Sequence, residues 1–190
     1  MILDAETLAL TPAVELLIEK SQQLQLPGRL KTELFASIVE LNTNTCDGVG
    51  AAHEALRELR RAAARISEEN GLRIAAAGAH PFNDPEQQQI ASDPRYKEFV
   101  GFAGVSARRQ GVSGLHVHVG MASAEACYAT LEAILPWMPL VLALSANSPY
   151  LAGRATGLAS NRAEVLAQLP RAGAPPVLAP TQAGSPSSSG

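Results

Sequence analysis

The sequence is poor in cysteine, in basic residues near its start and in long apolar runs, and each shortage excludes a class of protein. Cys46 and Cys127 stand alone, outside any CxxC and away from any Cys/His cluster. A disulfide framework is excluded, and a reducing compartment fits. No Lys or Arg precedes Lys20, while Asp4 and Glu6 interrupt the opening residues. That is not a secretory leader, so cytoplasmic residence is expected. The 15 Lys+Arg are outnumbered by 18 Asp+Glu, for a formal charge of -3. No general field draws in phosphate backbones, and nucleic acid is not an expected partner. The most apolar stretch, Ala133 to Ala146, is shorter than the ~20 residues of a spanning helix and carries Pro136 and Pro139. It reads as a buried helix broken at its start, and no membrane partner is expected. GxxxxGK[ST], GxGxxG, GxSxG and HExxH are all missing, which argues against a P-loop NTPase or a Rossmann oxidoreductase.

What remains is ample for a core: 190 residues, 46% hydrophobic and 17% charged. Thr11-Pro12 opens a short amphipathic helix to Gln23, with Val14, Leu17 and Ile18 on its apolar side. Leu30 to Thr43 is of mixed extended character, and its period does not decide strand against helix. Ala51 to Asn70 is the clearest helix, with Leu56, Leu59 and Ile66 on one side and Gly71 as its stop. A strand over Leu72 to Ala79 follows and runs into the loop His80 to Pro85. Asp93-Pro94 starts another helix to about Gln110, Ser113 to Met121 alternates as a strand, and Ser123 begins a helix that pairs as a hairpin with the Pro136–Ala146 helix. Helix and strand in this order indicate an α/β or α+β layer. Beyond Ala172 there is no charge, and Pro, Ser and Gly dominate. Residues 177–190 are therefore expected to form a disordered tail.

Three groups of residues could carry chemistry. In Gly114-Leu115-His116-Val117-His118-Val119-Gly120, strand alternation places both imidazoles on one face and the aliphatic residues on the other. Such a pair serves a metal site or a hydrogen-bonded polar patch. Glu33 and Glu40 flank the apolar segment Leu34 to Val39. They share a face if the segment is helical and oppose one another in a regular strand without a bulge; as ordinary solvated glutamates they need no further role. Carboxylates with one imidazole suit Mg²⁺, with Mn²⁺ or Zn²⁺ also compatible. Arg162 follows the glycine-containing stretch Gly153 to Gly157 and offers a fork for a carboxylate or phosphate, if it is more than a surface arginine. Asn147-Ser148-Pro149 ends an apolar helix and reads first as a stop signal.

Taken in order, ELFASIVELNT, ALRELRRAAARISEENGLRIAAAGAHPF, DPRYKEFVGF, ARRQGVSGLHVHVG, LPWMPLVLALSANSPY and GRATGLASNRAEV resemble the carboxylate-amine ligase family, also called glutamate–cysteine ligase type 2. The similarity runs from about Leu3 to Pro176, which sets a catalytic domain over residues 1–176. Each motif alone is weak; GLHVHVG with LSANSP and ELF…VE in this order is specific.

The resemblance implies an α+β, glutamine synthetase-like catalytic fold, with a partial curved antiparallel sheet and helices packed on one face. It implies ATP-dependent joining of the glutamate γ-carboxylate to the cysteine amine through an acyl phosphate, with ATP and Mg²⁺ (or Mn²⁺) as cofactors. It assigns Glu33, Glu40 and His118 to the metal, His116, Asn147 and Ser148 to substrate, and Arg162 to a phosphate or substrate carboxylate at the catalytic centre. Amino acids and ATP are the implied partners.

The family pattern also places an acidic GxEEEF-type strand ahead of the LDAETLALTP-like segment and further strands after PRAGAPP. The chain is thus expected to be a fragment truncated at both ends, which leaves its own activity in question. Open sheet edges predict homo-oligomers or poor solubility. Asn161 stands where an aromatic residue is usual in the family. Two rival readings stand beside the ligase. One is a metal-dependent hydrolase built on His116 and His118, and the other is a truncated, non-enzymatic pseudoenzyme.

Overall fold

A computed structural model describes residues 1–169. In chain order the elements are β1 (Ile2–Asp4), α1 (Val14–Ser21), β2 (Gly28–Thr32), β3 (Val39–Thr43), α2 (Val49–Glu68) and β4 (Leu72–Ile74). There follow α3 (Pro94–Ala103), α4 (Val105–Arg108), α5 (Ala124–Ile134), α6 (Met138–Leu144), β5 (Tyr150–Leu151), β6 (Arg154–Ala155) and α7 (Arg162–Leu166). Helices and small antiparallel sheets make this an α+β chain. The described strands form three separate two-stranded pairs, β1 with β4, β2 with β3 and β5 with β6. The expected tail, residues 177–190, lies outside the described residues.

The chain divides into two units. Unit one comprises Met1–Gly114 and Asn147–Leu169, and unit two begins at Leu115 and runs through Ala146. The core of unit one is assembled from Ile2, Val14, Leu17, Leu30, Ala36, Leu59, Ala63, Ile66 and Leu72. The apolar side of α2 supplies three of these, as its 3.6-residue period requires. The helix ends where the sequence asks it to, with Gly71 at φ 69. Glycine accepts that left-handed backbone without a Cβ clash.

The α1 boundary differs from expectation. Thr11 does not cap the helix, because its N–H donates to Ile2 O (3.0 Å) and its hydroxyl to Ala9 O (3.4 Å). The helix starts instead at Val14, with Ala13 as its cap residue. The mixed Leu30–Thr43 segment resolves into neither a helix nor a single strand. It is an antiparallel ribbon in which Thr32 pairs with Val39 and Lys31 with Glu40, closed by residues 33–38. The strand expected over Leu72–Ala79 is laddered only over Leu72–Ile74, where Ile74 faces Ile2. The helix expected from Pro94 to Gln110 is split at Gly104, whose φ of 57 interrupts the α-helical backbone. The Gly153–Gly157 stretch begins as a tight hairpin between β5 and β6, with Ala152 at φ 48 and Gly153 at φ 79. Positive φ at both turn residues matches the right-handed twist of the ribbon.

Unit two departs most from the sequence reading. The HxH segment Gly114–Gly120 carries no assigned secondary structure and belongs to no ladder among the described residues. Alternation specifies an extended chain with two faces; a strand in addition needs a partner. The helices after it do not fold back as a hairpin. Residues Ala124–Leu144 form one helical run of 21 residues with mean hydropathy 1.5, long and apolar enough by length and composition to cross a membrane. This corrects the expected shortfall of the Ala133–Ala146 stretch. Pro136 and Pro139 do not break the run, because each sits in the first turn of a short helical piece, where a missing N–H costs little. Nor is the run buried: Trp137 is 60% exposed and Leu144 80% exposed. Sequence period shows which side chains seek cover, not whether cover lies in the same segment.

Candidate functional site

Four remote segments of unit one meet around Gly78. The first is the end of the strand-like stretch after β4. The second is Val112-Ser113, tied to the first by an antiparallel bridge between Ala79 and Val112 and by Ser113 N–H donating to Gly78 O (2.8 Å). The third is Asn147-Ser148. Asn147 Oδ1 accepts from Gly78 N–H (3.2 Å) and from the Ser148 hydroxyl (3.0 Å). The fourth runs from Ser160 into α7. Ser148 and Ser160 form a parallel bridge, and Asn161 N–H donates to Ser148 O (2.8 Å).

Arg162, the first residue of α7, completes the cluster. Its Nε–H donates to the carbonyl of Ser113 (2.9 Å). The helix behind it is held by Gln110, whose Nε2 donates to Val165 O (3.0 Å) and to Ser106 O (3.1 Å). Val165 itself is buried. No carboxylate pairs with Arg162 among the described residues. A guanidinium fixed through Nε keeps its two terminal NH₂ groups in one plane, the geometry that binds a carboxylate or phosphate through two parallel hydrogen bonds. Asn147, with its oxygen doubly engaged, has an amide NH₂ left to donate. Asn147 and Ser148 therefore do more than stop a helix. Ser148 is buried and walls the cluster.

The acids belong to a second place, the β2–β3 hairpin. Glu40 lies on β3 opposite Lys31, and cross-strand neighbours share a face. Glu33 follows β2 two residues after Lys31. Its Oε1 accepts the N–H of Leu34 (2.8 Å). Its charge also raises the pKa of the Tyr96 phenol, behind the larger effect of burial. The Tyr96 hydroxyl donates to Thr32 O (3.0 Å). Glu40, Lys31, Thr32, Arg95 and Tyr96 line an open pocket of about 330 Å³. The ribbon thus brings both glutamates to the Tyr96 side of one hairpin, an arrangement outside the helix-or-strand choice. His116 and His118 belong to unit two, both exposed. Among the described residues no three His, Cys, Asp or Glu side chains are grouped to hold a metal ion.

Two residues of unit one were not singled out by sequence. Gly78 is one; the small run Ala75-Ala76-Ala77 before it was the available signal of close backbone approach. His80 is the other. It is buried, its Nδ1 accepts the N–H of Asn83 (3.2 Å), and its Nε2 meets Leu8 O (3.0 Å). Since Nδ1 accepts, the proton resides on Nε2 and the ring is neutral. Asn83 Oδ1 in turn accepts the N–H of Leu10 (2.9 Å), so the loop after Gly78 is strapped to the N-terminal segment.

Comparison with known proteins agrees with the motif order. Residues 3–184 match the Glutamate-cysteine ligase family 2 profile. A Rubrobacter xylanophilus protein provisionally named glutamate–cysteine ligase 2-3 is 40% identical over 175 residues, covering 92% of this chain and 48% of that protein. A Halobacterium salinarum glutamate–cysteine ligase is 40% identical over 161 residues, covering 85% of this chain and 45% of the relative. The Natronomonas pharaonis glutamate–cysteine ligase is 38% identical over 161 residues, 85% of this chain and 44% of its own. The chain spans about half the length of these curated relatives. It belongs to glutamate–cysteine ligase family 2.

Proposed function

We propose that the chain carries the acid-substrate end of an ATP-dependent ligase that joins the γ-carboxylate of glutamate to the amine of cysteine. The observation that carries this reading is Arg162, anchored by Ser113 O at 2.9 Å with no carboxylate partner among the described residues, beside the amide NH₂ of Asn147. In the overall reaction a γ-carboxylate oxygen takes the terminal phosphoryl group of ATP and ADP leaves. The amine nitrogen then attacks the acyl carbon, loses a proton and expels phosphate. Both halves need anion binding and alignment more than a protein nucleophile. Arg162 supplies a fixed cation for the substrate carboxylate or the acyl phosphate, and Asn147 with Ser148 shapes the wall beside it.

Glu33 and Glu40 are the residues we assign to Mg²⁺, with Mn²⁺ as the alternative. Mg²⁺ commonly takes one or two protein carboxylates and completes its shell with water and phosphate oxygens, so glutamates from one hairpin suit it without a three-residue cage. When bound, the ion neutralises phosphate charge. Glu33 gives one oxygen to Leu34 N–H and keeps the other. The family likeness supports keeping His118 as a metal ligand and His116 as a substrate contact, each considered within unit two. It supports a glutamine synthetase-like sheet in the complete catalytic domain and a cytoplasmic setting for an enzyme fed by amino acids and ATP.

Because the chain spans about half of its relatives, the test is binding rather than turnover. Calorimetric titration with L-glutamate, and with ATP and Mg²⁺, is expected to show heat that Arg162→Ala removes for the anion and Glu40→Gln weakens for the nucleotide–metal pair. Absence of heat with every ligand would overturn the reading in favour of a non-enzymatic fragment. Tight Zn²⁺ binding, abolished by His116→Ala and indifferent to both glutamates, would favour the hydrolase.

A further inference from the structure

The strongest unexplained feature of unit one is the space at Gly78. A Cβ built there would overlap Ser148 Oγ and lie 2.5 Å from Asn147 Oδ1, with Arg162 Cδ next at 3.4 Å. Two of those contacts are closer than real Cβ atoms allow, and the third is ordinary van der Waals contact. The backbone of Gly78 does not have the positive φ that by itself would call for glycine. Its missing side chain is therefore a matter of room.

From this crowding we infer that Gly78 is a positioning residue for Arg162, an inference that rests on the ligase reading of the site. Gly78 O holds Ser113 N–H at 2.8 Å, Ser113 O holds Arg162 Nε at 2.9 Å, and Gly78 N–H holds Asn147 Oδ1 at 3.2 Å. One glycine thus joins the acceptor that orients the guanidinium to the amide beside it. A methyl group at position 78 must displace the side-chain oxygens of Asn147 and Ser148, and with them the Gly78 N–H bond to Asn147 Oδ1. Those two residues are themselves linked to Ser160 and Asn161, immediately before Arg162. The clashing atoms are side-chain oxygens, but Ser148 is buried, so making room for its hydroxyl moves its backbone and, through the Asn161 N–H bond to Ser148 O, the start of α7. The fork then loses its fixed plane, and with it the two-pronged grip on a carboxylate. Gly78 itself touches no substrate in this account. Its effect is exerted through the arginine.

The Arg162 Nε–H proton reports the arrangement directly. In a ¹⁵N-arginine-labelled sample of the full chain it is expected as a separate, exchange-protected signal, identified by its disappearance in Arg162→Lys. In Gly78→Ala that signal should merge with those of the solvent-exposed arginines. Affinity for L-glutamate should fall about ten- to a hundredfold, the range for a lost hydrogen bond to a charged group. The triple variant Gly78→Ala, Asn147→Ala, Ser148→Ala removes both clashing oxygens and leaves 3.4 Å to the next atom. It should restore the protected signal, and it serves equally if Gly78→Ala alone does not fold. An unchanged Arg162 signal in Gly78→Ala, or a folded triple variant without the signal, overturns the inference. If the signal behaves as stated but neither L-glutamate nor inorganic phosphate shifts it in the parent chain, the positioning stands and the ligase reading fails.

Discussion

The ring of His80 spans two segments of chain more than seventy residues apart: Nε2 meets the carbonyl oxygen of Leu8 at 3.0 Å, while Nδ1 takes the N–H of Asn83. The Phe82 ring stands edge-on to it with centroids 4.5 Å apart. Burial lowers the His80 pKa, outweighing the opposite effect of the Leu8 carbonyl. Protonation would also set a second N–H donor against the N–H of Asn83. The unfolded chain therefore binds a proton at this site more readily than the folded one, and folding stability decreases as pH drops below the ordinary histidine value of 6.5. Urea midpoints should fall between about pH 7.5 and about pH 5.5, ahead of carboxylate titration. The His80→Gln variant should show a shallower decline. Equal slopes in the two chains would refute the assignment.

Leu59 is fully buried on α2 within the cluster formed with Ile2, Leu17 and Leu72. Leu59→Ala should cost about 2–5 kcal/mol, the transfer term plus the cavity left between helix and strands. Leu56, one turn away on the same helix but only partly buried, should cost less on the same substitution. Denaturant unfolding of the two variants gives the comparison, and similar losses would place the core elsewhere.

How far the sequence discloses this molecule depends on how local each signal is. The period of Leu56, Leu59 and Ile66 extends over about three turns, and Gly71 follows as the stop, so α2 is legible almost to its boundaries. The pairing of Ile2 with Ile74 is not, because the two residues lie in short strands at opposite ends of the sequence that builds the core. Thr11 resembles a cap by local rules but is claimed by Ile2 O, a tertiary bond no window around residue 11 contains. Glu33 and Glu40 belong to one hairpin whose reversal lies in the residues between them, with no glycine or proline to announce it. Asn147, Ser148 and Arg162 can be named from motif order. Their meeting over Gly78 depends on bonds across four segments, and only the small-residue run before that glycine hints at it.

Ser67 offers a test of burial without a partner. The residue is fully buried near the end of α2, and its hydroxyl makes no hydrogen bond among the described residues. A solitary hydroxyl out of water is a cost, and serine is a weaker helix former than alanine. Ser67→Ala should therefore stabilise the chain by up to about 1 kcal/mol, measured by thermal or urea unfolding. A clear loss of stability would mean that the hydroxyl has a bound-water partner.

Trp137 is the sequence's single tryptophan and is 60% exposed between α5 and α6, beside Met138 and Val141 at 51%. A contiguous apolar surface of this kind marks a place where another surface docks or aggregation begins. In dilute solution its emission should be red-shifted and quenched by acrylamide nearly as well as a free indole amide. Raising protein concentration should shift the emission to the blue and reduce quenching, in step with a rise in mass by light scattering, because removing the indole from water is the favourable term in association. Replacing Trp137 with serine and following the mass alone should then show weaker association at the same concentration. Blue, protected emission that persists at the lowest concentration with monomeric mass would instead mean that this helix is covered within one chain.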